Sequence, residues 1–136
     1  MSANDRQVGG RHYQQAEGIP QHWDVAWNWK YNQFEYCITK YVERYEHKNG
    51  IQDLEKARHH LMKYREVTTL PNGQTYHPRV SHAMISRCES LGCNDLQAAV
   101  LLYVHTGDLY SAKHYLEELI QGLDSTGEAT KEYVEQ

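Results

Sequence analysis

The sequence predicts an all-α protein: a compact helical domain built from two related helical hairpins, with little or no strand. Apolar residues recur at helical spacing over most of the chain, and no stretch alternates apolar and polar residues as a half-buried strand would. The second half of the chain also echoes the first, which indicates a repeated supersecondary unit. A length of 136 residues suits one domain.

The first hairpin shows the clearest helical pattern. Apolar side chains between Phe34 and Tyr45 follow the i, i+4, i+7, i+8, i+11 spacing of one helix face. The loop that follows ends at Gly50, a residue suited to the left-handed conformation that closes a helix. A second helix begins near Asp53, an acid favourable in a first turn.

Turn residues and polar stretches mark the limits of the units. Pro71-Asn72-Gly73 lies in the clearest loop of the chain. We predict a single domain with a first hairpin unit, a second and degenerate unit, and two loose polar termini, at residues 12–67, 80–123, and 1–11 with 124–136.

A short helix is predicted after Pro20, which suits a first-turn position. Trp23 and Trp27 share one face of this helix because they are four residues apart. Such a pair either joins a core or an interface, or stacks on the base of a nucleotide.

Composition excludes several classes of protein. A formal net charge of −4 and a pI of about 6.1 argue against broad binding to duplex nucleic acid, which needs a basic face. Three cysteines without metal-like spacing, no signal peptide and no long apolar run predict a reducing, intracellular, soluble protein without a membrane segment. The 11 tyrosines favour a homo-oligomer.

An internal repeat connects the two halves. Residues 32–42 align without gaps on 94–104, and residues 53–61 align on 108–116, with eight identities over these twenty positions. The identities include Asn, Asp and His as well as apolar residues, so helical periodicity alone does not account for them. We interpret the repeat as a duplicated helical hairpin.

The differences between the copies concern positive charge. Lys40, Arg44 and Lys48 are spaced by four and are predicted to form a cationic ridge, to which Lys56 of the next helix adds. In the second copy the aligned residues of Lys40, Arg44 and Lys56 are Leu102, Thr106 and Ser111. We therefore expect the first copy to hold an anionic ligand and the second to serve as scaffold. The alternative is a solvated charged face.

One ordered set of motifs carries a family resemblance. Its members are His12-Tyr13, Gly18-Ile19, Lys40-Tyr41-(x2)-Arg44, Lys48-Asn49-Gly50, Asp53-Leu54 and Lys56-Ala57. Over about residues 12–65 this pattern resembles a small bacteriophage family, domain of unknown function 3310, whose members are often labelled phage nucleotide kinases. The chain departs from the family at Tyr36-Cys37, where relatives usually have Gly-Asn.

The resemblance implies transfer of a phosphoryl group from a nucleoside triphosphate to a deoxynucleoside monophosphate, in the cytoplasm of an infected bacterium. No GxxxxGK[ST] loop is present, so a kinase here must hold phosphates in another way. We assign catalytic roles to His12, Arg44 and Lys48, because an imidazole can donate a proton and the two cations can bind phosphate.

Substrate binding is assigned to a second set of residues: Tyr13, Lys40, Tyr41, Asp53 and Lys56. Tyrosine can stack on a base, lysine can bind phosphate, and Asp53 can orient a cation or take a proton. Asp53 has a rival interpretation as a plain helix-start residue, since Asp108 recurs at the aligned position.

No metal site is predicted. The sequence lacks an HExxH motif and an acid-rich pyrophosphatase helix. Mg²⁺ is compatible with the triphosphate donor but is not indicated by any residue pattern. Two alternatives remain open: a non-catalytic, sponge-like nucleotide binder, and a helical protein that binds a host protein.

Overall fold

The computed structural model describes residues 18–68 and 79–126. These ranges contain six α-helices and no strand, which confirms the all-α fold class. The helices are α1 (His22–Asn28), α2 (Gln33–Arg44), α3 (Ile51–Thr68), α4 (His82–Leu91), α5 (Asp95–Thr106) and α6 (Leu109–Thr126). A 3₁₀ turn at Tyr45–His47 follows α2.

Two helical hairpins form the body of the domain. Helix α2 packs on α3, and α5 packs on α6; the hairpins meet where α2 contacts α5 and α3 contacts α6. Helices α1 and α4 lie on the outside, α1 against α2 and α4 against α5. The core follows the predicted periodicity in α3, where Leu54, Ala57, Leu61 and Tyr64 are all buried.

Both hairpins begin with the same cap. The Asn32 side chain accepts a hydrogen bond from Glu35 N, and Glu35 in turn accepts one from Asn32 N, so the two orphan amides of the helix start are satisfied reciprocally. Asn94 and Gln97 form the same capping box at α5. The aligned helices also agree in length, with 12 residues in α2 and α5 and 18 in α3 and α6.

The correspondence extends back into α1 and α4. Each of these helices ends in a left-handed residue two positions before the capping asparagine: Lys30 after α1, with φ of 57°, and Gly92 after α4, with φ of 70°. The next amide, of Tyr31 or Cys93, then donates back to the last turn over 3.0 Å in both cases. These bonds form a Schellman motif, so the two units share their helix ends as well as their hairpins.

Two helix ends bear on the predicted boundaries. Helix α2 ends at Arg44, and Lys48 lies four residues beyond it, after the 3₁₀ turn, in the loop predicted to end at Gly50. Helix α6 extends through Thr126, into the segment predicted to be a loose terminus. The predicted loop at Pro71-Asn72-Gly73 lies outside the described residues. Within the described part of the chain, no helix is both long and apolar enough to cross a membrane.

Candidate anion-binding site on the first hairpin

Three cationic side chains surround one tyrosine ring. From the Tyr41 ring centroid, the Lys40 Nζ is 5.5 Å away, the Arg44 Cζ 4.9 Å and the Lys56 Nζ 5.6 Å. Lys40 and Arg44 come from α2 and Lys56 from α3, so the hairpin itself assembles the group. We call these four residues the Tyr41 cluster; the ring attracts the cations through its quadrupole and holds them near one another.

A buried carboxylate positions the guanidinium of the cluster. Asp53, in the first turn of α3, is completely buried, and its Oδ1 lies 3.3 Å from an Arg44 Nη. The second oxygen, Oδ2, accepts a hydrogen bond from Asn49 N at 3.2 Å. Because both oxygens are engaged inside the protein, Asp53 acts through Arg44. This arrangement is compatible with the cation-orienting role considered for Asp53, and its contact with substrate stays a prediction.

The aligned residue Asp108 has a different role. It is exposed just before α6 and caps that helix, accepting from Ser111 N at 3.1 Å and from Ser111 Oγ at 2.8 Å. Both aspartates therefore lie at helix starts, as the rival interpretation expects. Asp53 also forms an ion pair, because its partner Arg44 is replaced by Thr106 at the aligned position of the second copy.

The cluster carries more positive than negative charge. Arg44 is paired with Asp53, whereas neither Lys40 nor Lys56 forms an ion pair with any acid in the described ranges. Two ammonium groups and a guanidinium thus lie around the Tyr41 ring, and the carboxylate paired with them is the single one of Asp53 on Arg44. Such an arrangement favours an anionic ligand with several oxygens, such as a phosphate group.

Of the remaining predicted site residues, the structure describes Lys48 alone. Lys48 is exposed in the loop before α3, beyond the end of α2. Its catalytic role stays a prediction. His12 and Tyr13 lie outside the described residues.

An aromatic hollow adjoins the cluster. Its volume is about 540 Å³, within the range typical of small-molecule sites, and it lies between α1 and the start of α2. The lining residues are Trp23, Ala26, Trp27, Lys30, Tyr31 and Tyr36. We call this feature the α1–α2 hollow. Tyr36 connects it to the cluster, since the Lys40 Nζ lies 6.0 Å from the Tyr36 ring centroid.

A neutral histidine supports the wall formed by Tyr36. The His22 ring meets the Tyr36 ring edge-on, with centroids 4.9 Å apart. Thr39 Oγ1 donates its proton to the Glu35 carbonyl at 2.7 Å. The His22 Nε2 lies 2.7 Å from Thr39 Oγ1, so this nitrogen carries the hydrogen and donates to the hydroxyl oxygen. Burial, assisted by Arg87 and Lys40, lowers the pKa of His22 to about 3 and keeps the ring neutral.

A second hydrogen-bonded histidine fixes Tyr31. Because His105 Nε2 lies 3.2 Å from the Val80 carbonyl, that nitrogen carries the hydrogen and Nδ1 is left to accept. The Tyr31 hydroxyl donates to it over 2.6 Å. Burial, with a smaller effect of Arg79, lowers the pKa of His105 to about 4 and keeps it in this accepting form.

Lys30 occupies a strained backbone conformation at the edge of the hollow. Its φ of 57° costs a lysine roughly 1–2 kcal/mol relative to the right-handed region. Arg79 holds this segment in place: its Nε donates to the Trp29 carbonyl at 2.9 Å and an Nη donates to the Lys30 carbonyl at 3.1 Å. The same guanidinium pairs with the buried Glu35, so the strained turn is tied to the start of α2.

Sequence reasoning predicted the cluster better than the hollow. It named Lys40, Tyr41, Arg44 and Lys56 from the positive charge present only in the first copy and from the family motif. It did not assign Lys30 or Tyr36 to a site. The signal for Lys30 was available: extending the repeat alignment by two residues places it opposite Gly92.

Neither metal-binding side chains nor comparisons with known proteins assign a further role to the site. In residues 18–68 and 79–126 no three His, Cys, Asp or Glu side chains gather in a way that would hold a metal ion. Comparison of the chain with known protein families, curated proteins and solved structures finds no match. The bacteriophage resemblance therefore stays a prediction.

Proposed function

We propose that the first hairpin binds the phosphate groups of a nucleotide, and that the protein is a phage nucleotide kinase without a P-loop. It would act in the cytoplasm of an infected bacterium and, from its tyrosine content, as a homo-oligomer. The observation that carries the proposal is the Tyr41 cluster, in which three cations converge and only one is paired with a described acid.

The chemistry required of such a site is mainly electrostatic. In the reaction, the bond between the terminal phosphorus of the triphosphate and its bridging oxygen breaks, and a new bond forms to an oxygen of the monophosphate. Two diphosphates result, and the charge that shifts between oxygens must be neutralised. Arg44 suits this role because its planar fork binds two oxygens together and Asp53 already restricts its orientation. Lys40 and Lys56 add point charges near the same tyrosine ring.

One observation favours a second candidate, a nucleotide binder without turnover. Asp53 is the acidic residue that the sequence assigns to substrate binding. Its carboxylate is buried, and each of its oxygens already has a partner within the protein. It therefore cannot receive a proton from an acceptor phosphate while the ion pair is intact. A sponge-like protein would need the cluster but no such base.

Two measurements separate these candidates. Thermal shift and calorimetry with nucleoside triphosphates and deoxynucleoside monophosphates test binding, since a ligand specific to the folded state raises its stability. A coupled turnover assay with both substrates tests the kinase. Turnover supports the kinase, and binding without turnover in the full chain supports the sponge-like alternative.

The decisive variant is Arg44→Ala in an Asp53→Asn background, which removes the guanidinium without leaving an unpaired buried carboxylate. Loss of a charge-assisted contact of about 1.5–3 kcal/mol should weaken nucleotide binding roughly 10- to 100-fold. Thr106→Ala, at the aligned position of the second copy, is the matched control and should leave affinity unchanged. Equal affinity of wild type and the Arg44 variant would remove the Tyr41 cluster from the proposal.

A further inference from the structure

We propose that the α1–α2 hollow binds the aromatic base of the nucleotide, with Lys30 as a ligand contact, while the phosphates reach the Tyr41 cluster. The inference rests on the proposed function, because it takes a phosphate-binding cluster as its starting point. It adds the place of the base and a residue that the sequence patterns did not assign.

The walls of the hollow suit a flat aromatic ligand. Four of its lining residues are tryptophan or tyrosine. Trp27 is 84% exposed and Trp23 47% exposed, so two large apolar rings face outward. Every nucleobase offers a π-face to such rings, and stacking there buries area that is otherwise in water.

Lys30 is the strongest single indication of a ligand. Four glycines in the described residues have positive φ, and Lys30 is the one other residue there that does. In the second unit the equivalent turn uses Gly92, which adopts this conformation without strain. A lysine kept in a strained position at the rim of a cavity points to a role for its charge.

The positive charge of Lys30 and Lys40 also decides which ligands can bind between the aromatic rings of the hollow. Rings arranged around a cavity can bind a quaternary ammonium group. Here Lys30 lines the hollow and Lys40 lies against Tyr36 at its border. A cation would be repelled from both sides, whereas a base that carries an anionic phosphate would be attracted.

One face of α2 connects the two sites. Tyr36, Lys40 and Arg44 are spaced by four, so they follow one another along the same side of the helix. The eight residues from Tyr36 to Arg44 rise about 12 Å along the axis. A nucleotide lying along α2 would therefore place its base beside Tyr36 and its phosphates at Lys40 and Arg44.

The test compares ligands with and without a base. Calorimetry and quenching of tryptophan fluorescence are measured with the four deoxynucleoside 5′-monophosphates and with 2-deoxyribose 5-phosphate, which has no base. Trp27→Ala should weaken binding of at least one nucleotide about ten-fold or more, since base stacking on an aromatic residue is worth that much. It should leave the affinity for the sugar phosphate unchanged. Tyr110→Ala is the matched control, because Tyr110 is 78% exposed on α6.

The variant Lys30→Gly separates the effect of Lys30 on stability from its effect on nucleotide affinity. Glycine removes the backbone strain, so the thermal midpoint should rise, while nucleotide affinity falls. Lys30→Arg should restore affinity without the gain in stability. A variant that gains stability and keeps full affinity would show that the Lys30 charge is unused and would overturn this part of the inference.

The ligand pair distinguishes the two proposals. If nucleotides and the sugar phosphate bind equally well, the hollow is not a base site, but the phosphate cluster stands. If neither binds, the proposed function itself fails. If Trp27→Ala changes the oligomeric state in size exclusion and leaves nucleotide affinity intact, the hollow is a contact between copies of the chain, and the base site is overturned.

Discussion

The buried ion pair between Arg87 and Glu43 gives a sharp prediction about stability. The two side chains, from α4 and α2, are 4% and 5% exposed, and the guanidinium makes two hydrogen bonds to the carboxylate at 2.8 and 2.9 Å. Arg87 also donates to the Pro20 carbonyl at 2.8 Å. Arg87→Met removes all three bonds and leaves a carboxylate enclosed without its partner.

The magnitude follows from burial. Breaking a buried pair on one side costs about 3–5 kcal/mol, because the remaining charge stays desolvated. For a chain of 136 residues each kcal/mol corresponds to roughly 3–5 °C, so the thermal midpoint should fall by roughly 9–25 °C. Replacing Glu43 by Leu in the same protein should recover much of that loss, since the second change removes the stranded charge.

The chain contains a matched control for this experiment. Arg58 and Glu117 form an ion pair of 2.9 Å between α3 and α6, but their side chains are 35% and 40% exposed. Arg58→Met should therefore cost only about 0.2–1 kcal/mol. Urea unfolding followed by far-UV circular dichroism measures both variants. Equal losses for the two pairs, or a loss below about 1 kcal/mol for Arg87→Met, would contradict the argument that burial sets the cost.

Two further predictions concern pH and helix capping. The pKa of His105 is about 6.5 in the unfolded chain and about 4 when folded, so the stability due to its neutral form is complete above pH 6.5 and is lost as pH falls towards 4. In urea titrations at several pH values His105→Gln should reduce this acid dependence, and an unchanged dependence in that variant would contradict the argument. Asn32→Ala should lower the free energy of unfolding by about 1–2 kcal/mol, because the helix loses its capping bond. Gln33→Ala, at the exposed neighbouring position, should change that free energy by no more than about 0.5 kcal/mol. Comparable urea midpoints for these two variants would refute the capping argument.

The local features of the fold were predictable because they depend on neighbours in sequence. The spacing of Leu54, Ala57, Leu61 and Tyr64 defined the buried face of α3 before any contact was known. The cationic residues of the Tyr41 cluster were predicted for the same reason, since Lys40 and Arg44 are separated by one helical turn.

Other parts of the candidate site depend on where helices end. A spacing of four places Lys48 one helical turn beyond Arg44, but the backbone tightens into a 3₁₀ turn after Arg44 and Lys48 lies in the loop that follows. Asp53 likewise reads as a helix start in sequence, and its complete burial under Arg44 emerges only when α2 and α3 pack together.

By itself the sequence determined the helical class, the periodicity of the buried faces and the location of excess positive charge in the first copy. Only the tertiary structure decided that α1 lies against α2 to form an aromatic hollow, that Lys30 lies strained at its rim, and that Arg79 and Arg87 hold α2 from distant positions. The physical reason is separation along the chain. Both arginines pair with carboxylates 44 residues away, and side-chain spacing within one helix carries no information about such partners.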